Sequence, residues 1–481
     1  MRRAGSAALG LLVVWLAATL LAHGLGLGLH ADCGRTWQLL DVPLLQHDLI
    51  RSLWYLHGQP PGFNLAIGLL AKAAIGPDSA AMHLLFDGLG LLAGLGTWRL
   101  ALALGAAPRW AWLVAALFLA SPGNQLYQHW MFYDLPVTCL VVAALLALRH
   151  AADGKWGGRV VLVAALVGLV WLRSVWHPLW LVGLAVAVLA PADARALARR
   201  RLATALAVAL LLACLPYAKN AWVFGRFEAS SWAGMSAQRL THQFIPLAER
   251  QRLHGLGQID GVSVPGPYRP LDAYGLPLLP VTGVPALDQP LKQTGHPNFN
   301  HQQYRWLSQR MLRDAVTLVA THPAAYAKAH LSAWLHWLRP ASVHPNLASG
   351  RERLRPWLGP WNRWLLGDAA GVHAVLVLGA LLGLAGLLRL AATREGRASG
   401  LDAAQRAMVR GAAWTAVWLT LLGNLLEHGE NYRFRGYLDP LLLAVLALLV
   451  TEAGRRWTAR RAGPAVAPAA VAADGARGPA A

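Results

Sequence analysis

Cysteine is scarce: three in 481 residues, Cys33, Cys139 and Cys214, the last two inside apolar runs. No disulfide framework follows from them, and no cysteine spacing suited to a structural metal. Charge is scarce as well, at 14% of residues, where an average soluble domain carries about 25%. A soluble chain of this length would divide into several cores. Here 56% of residues are hydrophobic and the mean hydropathy is +0.40, so a bilayer is the expected apolar environment and one helical domain can absorb most of the chain. Acids are the scarcest charge, 23 against 43 Lys and Arg, for a net charge of +20. Such a balance can mean nucleic acid. Here, however, the basic residues gather in short loops between apolar segments, where they act as topology signals. An internal repeat is also lacking.

What is present is a series of apolar segments. A spanning helix needs roughly 20 apolar residues, and ten candidates are found: Ala7–Leu29, Ala80–Leu102, Trp110–Leu126, Leu135–Leu148, Val160–Leu172, Val175–Leu189, Leu202–Tyr217, Val372–Leu390, Ala412–Leu425 and Leu438–Val450. The first lies behind Arg2 and Arg3 and lacks a small-residue cleavage site, so an uncleaved span is expected. With the N-terminus inside, every cytoplasmic connection is basic: Arg109; Arg149, Lys155 and Arg159; Arg195 and Arg199–Arg201; Arg394, Arg397, Arg406 and Arg410; and Arg455, Arg456, Arg460 and Arg461. The external connection Gly123–Asp134 carries no Lys or Arg, as the positive-inside bias demands. The pattern holds only if Phe63–Ile75, about 13 residues with Lys72 inside it, is an interfacial or re-entrant segment on the outer surface.

The expected organisation is therefore an all-α polytopic membrane protein of about ten helices with both termini cytoplasmic. A membrane module covers 1–219 with an external loop at 30–77. An extracytoplasmic segment covers 220–368, between spans seven and eight. Terminal spans cover 369–454, and a disordered cytoplasmic tail 455–481, rich in Ala, Pro and Gly beyond Arg461. Within the external segment, Gly255–Pro297 is rich in Pro and Gly and reads as irregular. From Asn300 to Leu338 the pattern turns helical, with Trp306, Met311, Leu312, Val316 and Val319 at helix-like intervals, and Ala324–Leu338 reads as a surface helix.

Polar residues at the outer ends of spans carry the chemistry. Asp134, in HWMFYDLPVTCLVV, opens the fourth span; it suits a helix cap, and it equally suits a general base facing the outer opening of the bundle. The first loop offers Asp32, Asp41 and Asp48, each of which alone reads as a solvated surface acid. Apolar Leu44, Leu45, Leu49 and Leu53 between them predict an interfacial helix, and HGQPPGFN, with His57 and Gln59, forms a stiff turn beyond it. Near the C-terminus, EHGENYRFRGYLDPLLL concentrates Glu427, His428, Glu430, Asn431, Tyr432, Arg433 and Arg435 at an outer membrane edge. Arg presents a planar fork of donors to phosphate, although Arg and Tyr also populate ordinary interfacial belts. Arg173 and His177 stand between two spans on the same side, and His177 reads most simply as a core histidine. Asp87 and Arg99, inside the second span, are expected to be buried partners within the bundle.

The order of these features resembles the GT-C glycosyltransferases that use lipid-phosphate-linked sugars, the bacterial protein O-mannosyltransferase and aminoarabinose-transferase branch above all. The resembling elements are the acidic first external loop, the Pro-Pro turn HGQPPGFN, the acid in YDLP at Tyr133–Pro136, the exit LPYAKNAWVFGRF at Leu215–Phe227 and the late ENYRFRGYLDP segment. They span roughly residues 1–230 and 410–452; Glu228–Asp368 matches nothing in that pattern, and the paired Asp-Glu usual in the first loop is missing. The resemblance implies an inverting transfer of sugar from a polyprenyl-phosphate donor to a lipid, protein or glycan acceptor on the outer face of a bacterial inner membrane, without nucleic acid. A first-loop acid, Asp41 ahead of Asp32 and Asp48, would act as base with help from Asp134. Arg433, Arg435 or Arg173 would bind the donor phosphate, and His57, Gln59, His177, Asn431 and Tyr432 would contact substrate. No metal is required. The alternative is a multi-span transporter or lipid-linked-sugar flippase with Asp87, Asp134 and Arg173 along a path, although transporters often show paired halves.

Overall fold

The computed structural model describes residues 2–189, 196–366, 374–393 and 401–461. The expected basic residues Arg195, Arg394 and Arg397, and the tail 462–481, lie outside the described residues. Among those described the chain is helical throughout, with two isolated β-bridges and no strand.

Each expected span falls on a helix. We label these α1 (Arg2–Gly24), α2 (Ala80–Leu104), α3 (Pro108–Leu119), α4 (Asp134–Ala152), α5 (Trp156–Leu172), α6 (Pro178–Leu189), α7 (Ala196–Ala213), α8 (Ala374–Ala392), α9 (Ala403–Leu426) and α10 (Asp439–Arg461). Helix α7 runs on past Cys214 into Leu215–Phe224. Among the described residues, five segments are long and apolar enough to cross a membrane: Gly5–Gly24, Ala80–Leu104, Asp134–Ala152, Ala196–Phe224 and Val375–Ala392. Shorter apolar helices are α3, α5, α6 and Gly62–Lys72. The last is the excluded stretch, and at 11 residues it is the shortest of these four.

Local chemistry sets the boundaries. Gly105 ends α2 in the left-handed region at φ 98° and Pro108 opens α3, the expected order of a stop and a start; the short link folds α3 back onto α2. Asp402 and Gln405 form a reciprocal capping box at the start of α9. Helix α10 returns to pack on α2, α3 and α8, while α9 packs on α4 and α6. The late part of the sequence is thereby brought against the start of α4. At the opposite end from that meeting point, Thr451 accepts from the Ala107 amide at 2.9 Å and Arg149 pairs with Asp402 at 3.6 Å.

The expected tail begins later than the sequence suggests, because 455–461 continue α10. The first loop carries two short helices, Val42–His47 and Leu49–Trp54, broken at Asp48. In the segment after α7, Gly255–Pro297 holds only short turns of helix, and the following helix is split by His322 and Pro323 into Gln302–Thr321 and Pro323–Trp337. The buried stripe of Gln302–Thr321 runs through Tyr304, Leu307, Met311, Ala315 and Leu318, whereas Leu312 and Val316 face outward. Two small cores form within residues 232–318, around Trp232, Phe299 and Met311 and around Ile245 and Leu318. Helix Ala233–His242 lies so close on Gln302–Thr321 that a Cβ on Gly234 would collide with the Ser308 carbonyl.

Candidate functional site

Asp134 is the first residue of α4, but its carboxylate makes no cap bond. It turns instead to the C-terminal segment. Arg433, in the short helix Asn431–Gly436 that precedes α10, grips it with both arms: Nε donates to Oδ2 at 2.9 Å and Nη2 to Oδ1 at 3.0 Å. Arg173, which ends α5, donates to Oδ1 at 3.2 Å, and the Tyr437 hydroxyl donates to the same oxygen. Glu430 closes the ring, accepting from Arg433 at 2.6 Å and from Arg173 at 3.3 Å. Side-chain exposure is 1% for Arg433, 2% for Asp134 and 7% for Arg173, so these charges are screened by one another and not by water.

Aromatic faces complete the enclosure. The Arg173 guanidinium lies 4.6 Å from the Phe434 ring centre, and that of Arg433 lies 4.7 Å from Phe132. Tyr133 faces both. A delocalised guanidinium tolerates such a site better than a compact ammonium.

Outward, Arg239 from helix Ala233–His242 pairs with Glu427 at 3.3 Å and approaches Glu430 at 3.9 Å. Burial pushes Glu430 up, but Arg433, Arg239 and Arg173 outweigh burial and hold it below the usual carboxylate range. For Glu427 burial wins over Arg239, and its carboxyl is pushed up toward the neutral form. Three guanidiniums therefore face acids of which one tends to lose its charge near neutral pH.

A cavity of about 350 Å³ adjoins this network. Its lining combines Asp134, Arg433, Arg435, Asp439, Asn124 and Tyr127 with apolar side chains that include Phe118, Leu358, Trp361, Leu376, Leu442 and Leu446. Arg435 is held by Asp439 at 3.1 Å and donates to the Arg339 carbonyl at 2.8 Å. Asn124 is buried, and its Nδ2 has no partner among the described residues. An unanswered buried donor is expensive unless something accepts from it.

The remaining sequence candidates lie elsewhere. Asp32 accepts from the Arg35 amide at 3.0 Å, Asp41 accepts from the Gln293 amide at 2.9 Å, and Asp48 is a half-buried break between two helices. None of the three lines the cavity. His57 is buried against Ser231, with Nδ1 and Oγ 2.8 Å apart, and its amide and that of Gly58 both reach Asn300 Oδ1. Gln59 faces Trp37 and Trp232 in a much smaller recess. His177 Nδ1 accepts from the Leu179 amide at 3.2 Å. Asn431 ties the end of α9 to the arginine turn through Gly423 and Glu427 carbonyls, and Tyr432 packs edge-on to His344. Asp87 does not meet Arg99: it accepts from Gln128 at 2.8 Å, and Arg99 lies exposed against Trp98, because residues 12 apart on one helix stand about 18 Å apart.

Sequence reasoning missed Tyr437, Arg239, Asn124 and Tyr127 as site residues. Tyr437 was within reach, since it follows Arg433 by four positions and so shares its face. Arg239 comes from a segment with no recognisable pattern.

No family model, curated protein or solved structure matches this chain.

Proposed function

We propose that the chain is a ten-span membrane glycosyltransferase of the GT-C type, with its termini in the cytoplasm and its site on the outer face of a bacterial inner membrane, moving sugar from a polyprenyl-phosphate donor. The observation that supports this most is the mixed lining of the cavity: apolar side chains that suit a lipid tail, together with arginines and an unpartnered amide that suit a phosphate.

In this mechanism the acceptor oxygen attacks the anomeric carbon as the bond from that carbon to the phosphate oxygen breaks. The hydroxyl proton passes to a carboxylate, and the leaving phosphate takes the bonding pair. Asp41, Asp32 and Asp48 are away from the cavity, so Asp134 is the better base. Its two oxygens are taken by Arg433, Arg173 and Tyr437. An arriving phosphate gives Arg433 a competing acceptor, and the carboxylate is released as the guanidinium is shared. Substrate binding would thus switch on its own base.

The test is transfer by purified protein in proteoliposomes, supplied with a panel of polyprenyl-phosphate sugars and read by mass spectrometry of the acceptor fraction. Release of polyprenyl phosphate with a sugar-bearing product, lost in Asp134→Asn, supports the transferase. Movement of intact donor across the bilayer without transfer would support the flippase instead.

A further inference from the structure

His23, Asp87 and His129 converge from three separate elements. His23 lies in the last turn of α1, Asp87 two turns into α2, and His129 just after helix Pro122–Gln128. One ligand atom from each lies within 4.8 Å of the other two. None of the three lines the cavity at Arg433, and neither the transferase nor its alternative uses them together.

The tautomers are fixed by the backbone. His23 Nδ1 faces the Leu27 carbonyl at 3.0 Å and His129 Nδ1 faces the Gln125 carbonyl at 2.8 Å. A ring nitrogen opposite a carbonyl must carry the proton, which leaves Nε2 of each neutral ring as a lone pair. Those two lone pairs face one another at 3.4 Å. Two acceptors at that distance repel unless a cation lies between them. Two imidazoles on one tetrahedral zinc, at about 2.05 Å each, stand roughly 3.3 Å apart. Asp87 is oriented by Gln128, whose amide donates to it at 2.8 Å and is itself steadied by Thr19 at 3.0 Å and Trp15 at 3.2 Å. Carbonyls behind the histidines and an amide behind the carboxylate are the supports that metal ligands need.

We propose that His23 Nε2, His129 Nε2 and the Asp87 carboxylate bind a divalent ion of the zinc class, clamping α1 and α2 to the 122–134 segment that delivers Asp134. Three protein ligands leave one position for water. His129 is buried while His23 is exposed, so the ion enters past His23.

The test uses tag-free, full-length protein in detergent, stripped with a chelator and titrated with Co²⁺ and Zn²⁺. One saturable ion per chain is expected, with at least tenfold weaker binding in His129→Gln and Asp87→Asn. X-ray absorption of the zinc-loaded wild type should show two imidazoles on the metal, which decides the matter even if the variants fail to fold. No saturable ion, unchanged affinity in both variants, or fewer than two imidazoles would overturn the site and leave a proton shared between the rings.

Discussion

Asp134 and Arg433 are separated by 299 positions in the chain and meet as a bidentate ion pair at 2.9 and 3.0 Å, with almost no exposure to water. Removing one member of a buried pair leaves the other uncompensated, at about 3–5 kcal/mol. Asp134→Asn should therefore lose transfer activity and also unfold at a lower temperature in detergent. Adding Arg433→Gln should restore part of that stability without restoring activity. Simple additivity of the two losses would show that the pair is not coupled.

Asn124→Leu removes an unpartnered donor from the lining of the cavity. A lost hydrogen bond to a charged group is worth about 1.5–3 kcal/mol, so KM for a polyprenyl-phosphate donor should rise roughly tenfold or more with the thermal midpoint unchanged or higher. An unaltered KM would mean that the phosphate does not reach Asn124.

Gly234→Ala places a methyl group where the Ser308 carbonyl stands. The backbone must shift, and overpacking of this kind costs about 1–3 kcal/mol. Limited proteolysis should cut the external segment faster in the variant while the apolar helices stay protected. Equal cleavage rates would show that the two helices part without penalty.

Lys292 joins the segment between α7 and α8 to the first loop, donating to the Thr36 carbonyl at 2.7 Å and the Gly34 carbonyl at 3.1 Å. Burial lowers its pKa to about 8, against the partial opposition of Asp41, Cys33 and Asp32. The folded state then binds fewer protons than the unfolded one between pH 8 and the ordinary lysine value, so stability rises with pH across that window. The penalty is complete below pH 8 and gone above about 10.5, on the order of 3 kcal/mol in all. Subtracting the Lys292→Met melting curve from that of wild type should isolate this slope; a flat difference would refute it.

The proposed orientation predicts a labelling pattern. In a background with Cys33, Cys139 and Cys214 replaced, a membrane-impermeant maleimide should modify Asp272→Cys in whole cells and Arg456→Cys only after permeabilisation. Residue 272 is exposed in the external segment and residue 456 is exposed near the end of α10. Labelling of both from outside would discard the ten-span arrangement.

The positions of the helices were legible because long apolar runs have few competing conformations, and Pro and Gly mark their ends. Asp134 and the late arginines were legible as charges stranded at apolar boundaries, where each needs a partner. Their partnership was not, since nothing local links residues almost 300 apart. The sequence also could not tell that the first-loop acids stand outside the lining of the cavity. Asp41 spends an oxygen on Gln293, a contact made by a segment whose fold has no periodic signal to read. The His23, Asp87 and His129 cluster escaped for the same reason: its members come from three elements, and sequence spacing says nothing about which helix ends are neighbours.

Asn300 has a further consequence, which concerns time. Its side chain accepts from the His57 and Gly58 amides and donates to the Tyr55 and Ala286 carbonyls. Residue 57 leaves the ribosome 243 positions before its partner, which at 5–20 residues per second is roughly 12–50 s. Through that interval the turn at His57 and Gly58 lacks the Asn300 side chain that fixes it in the folded chain.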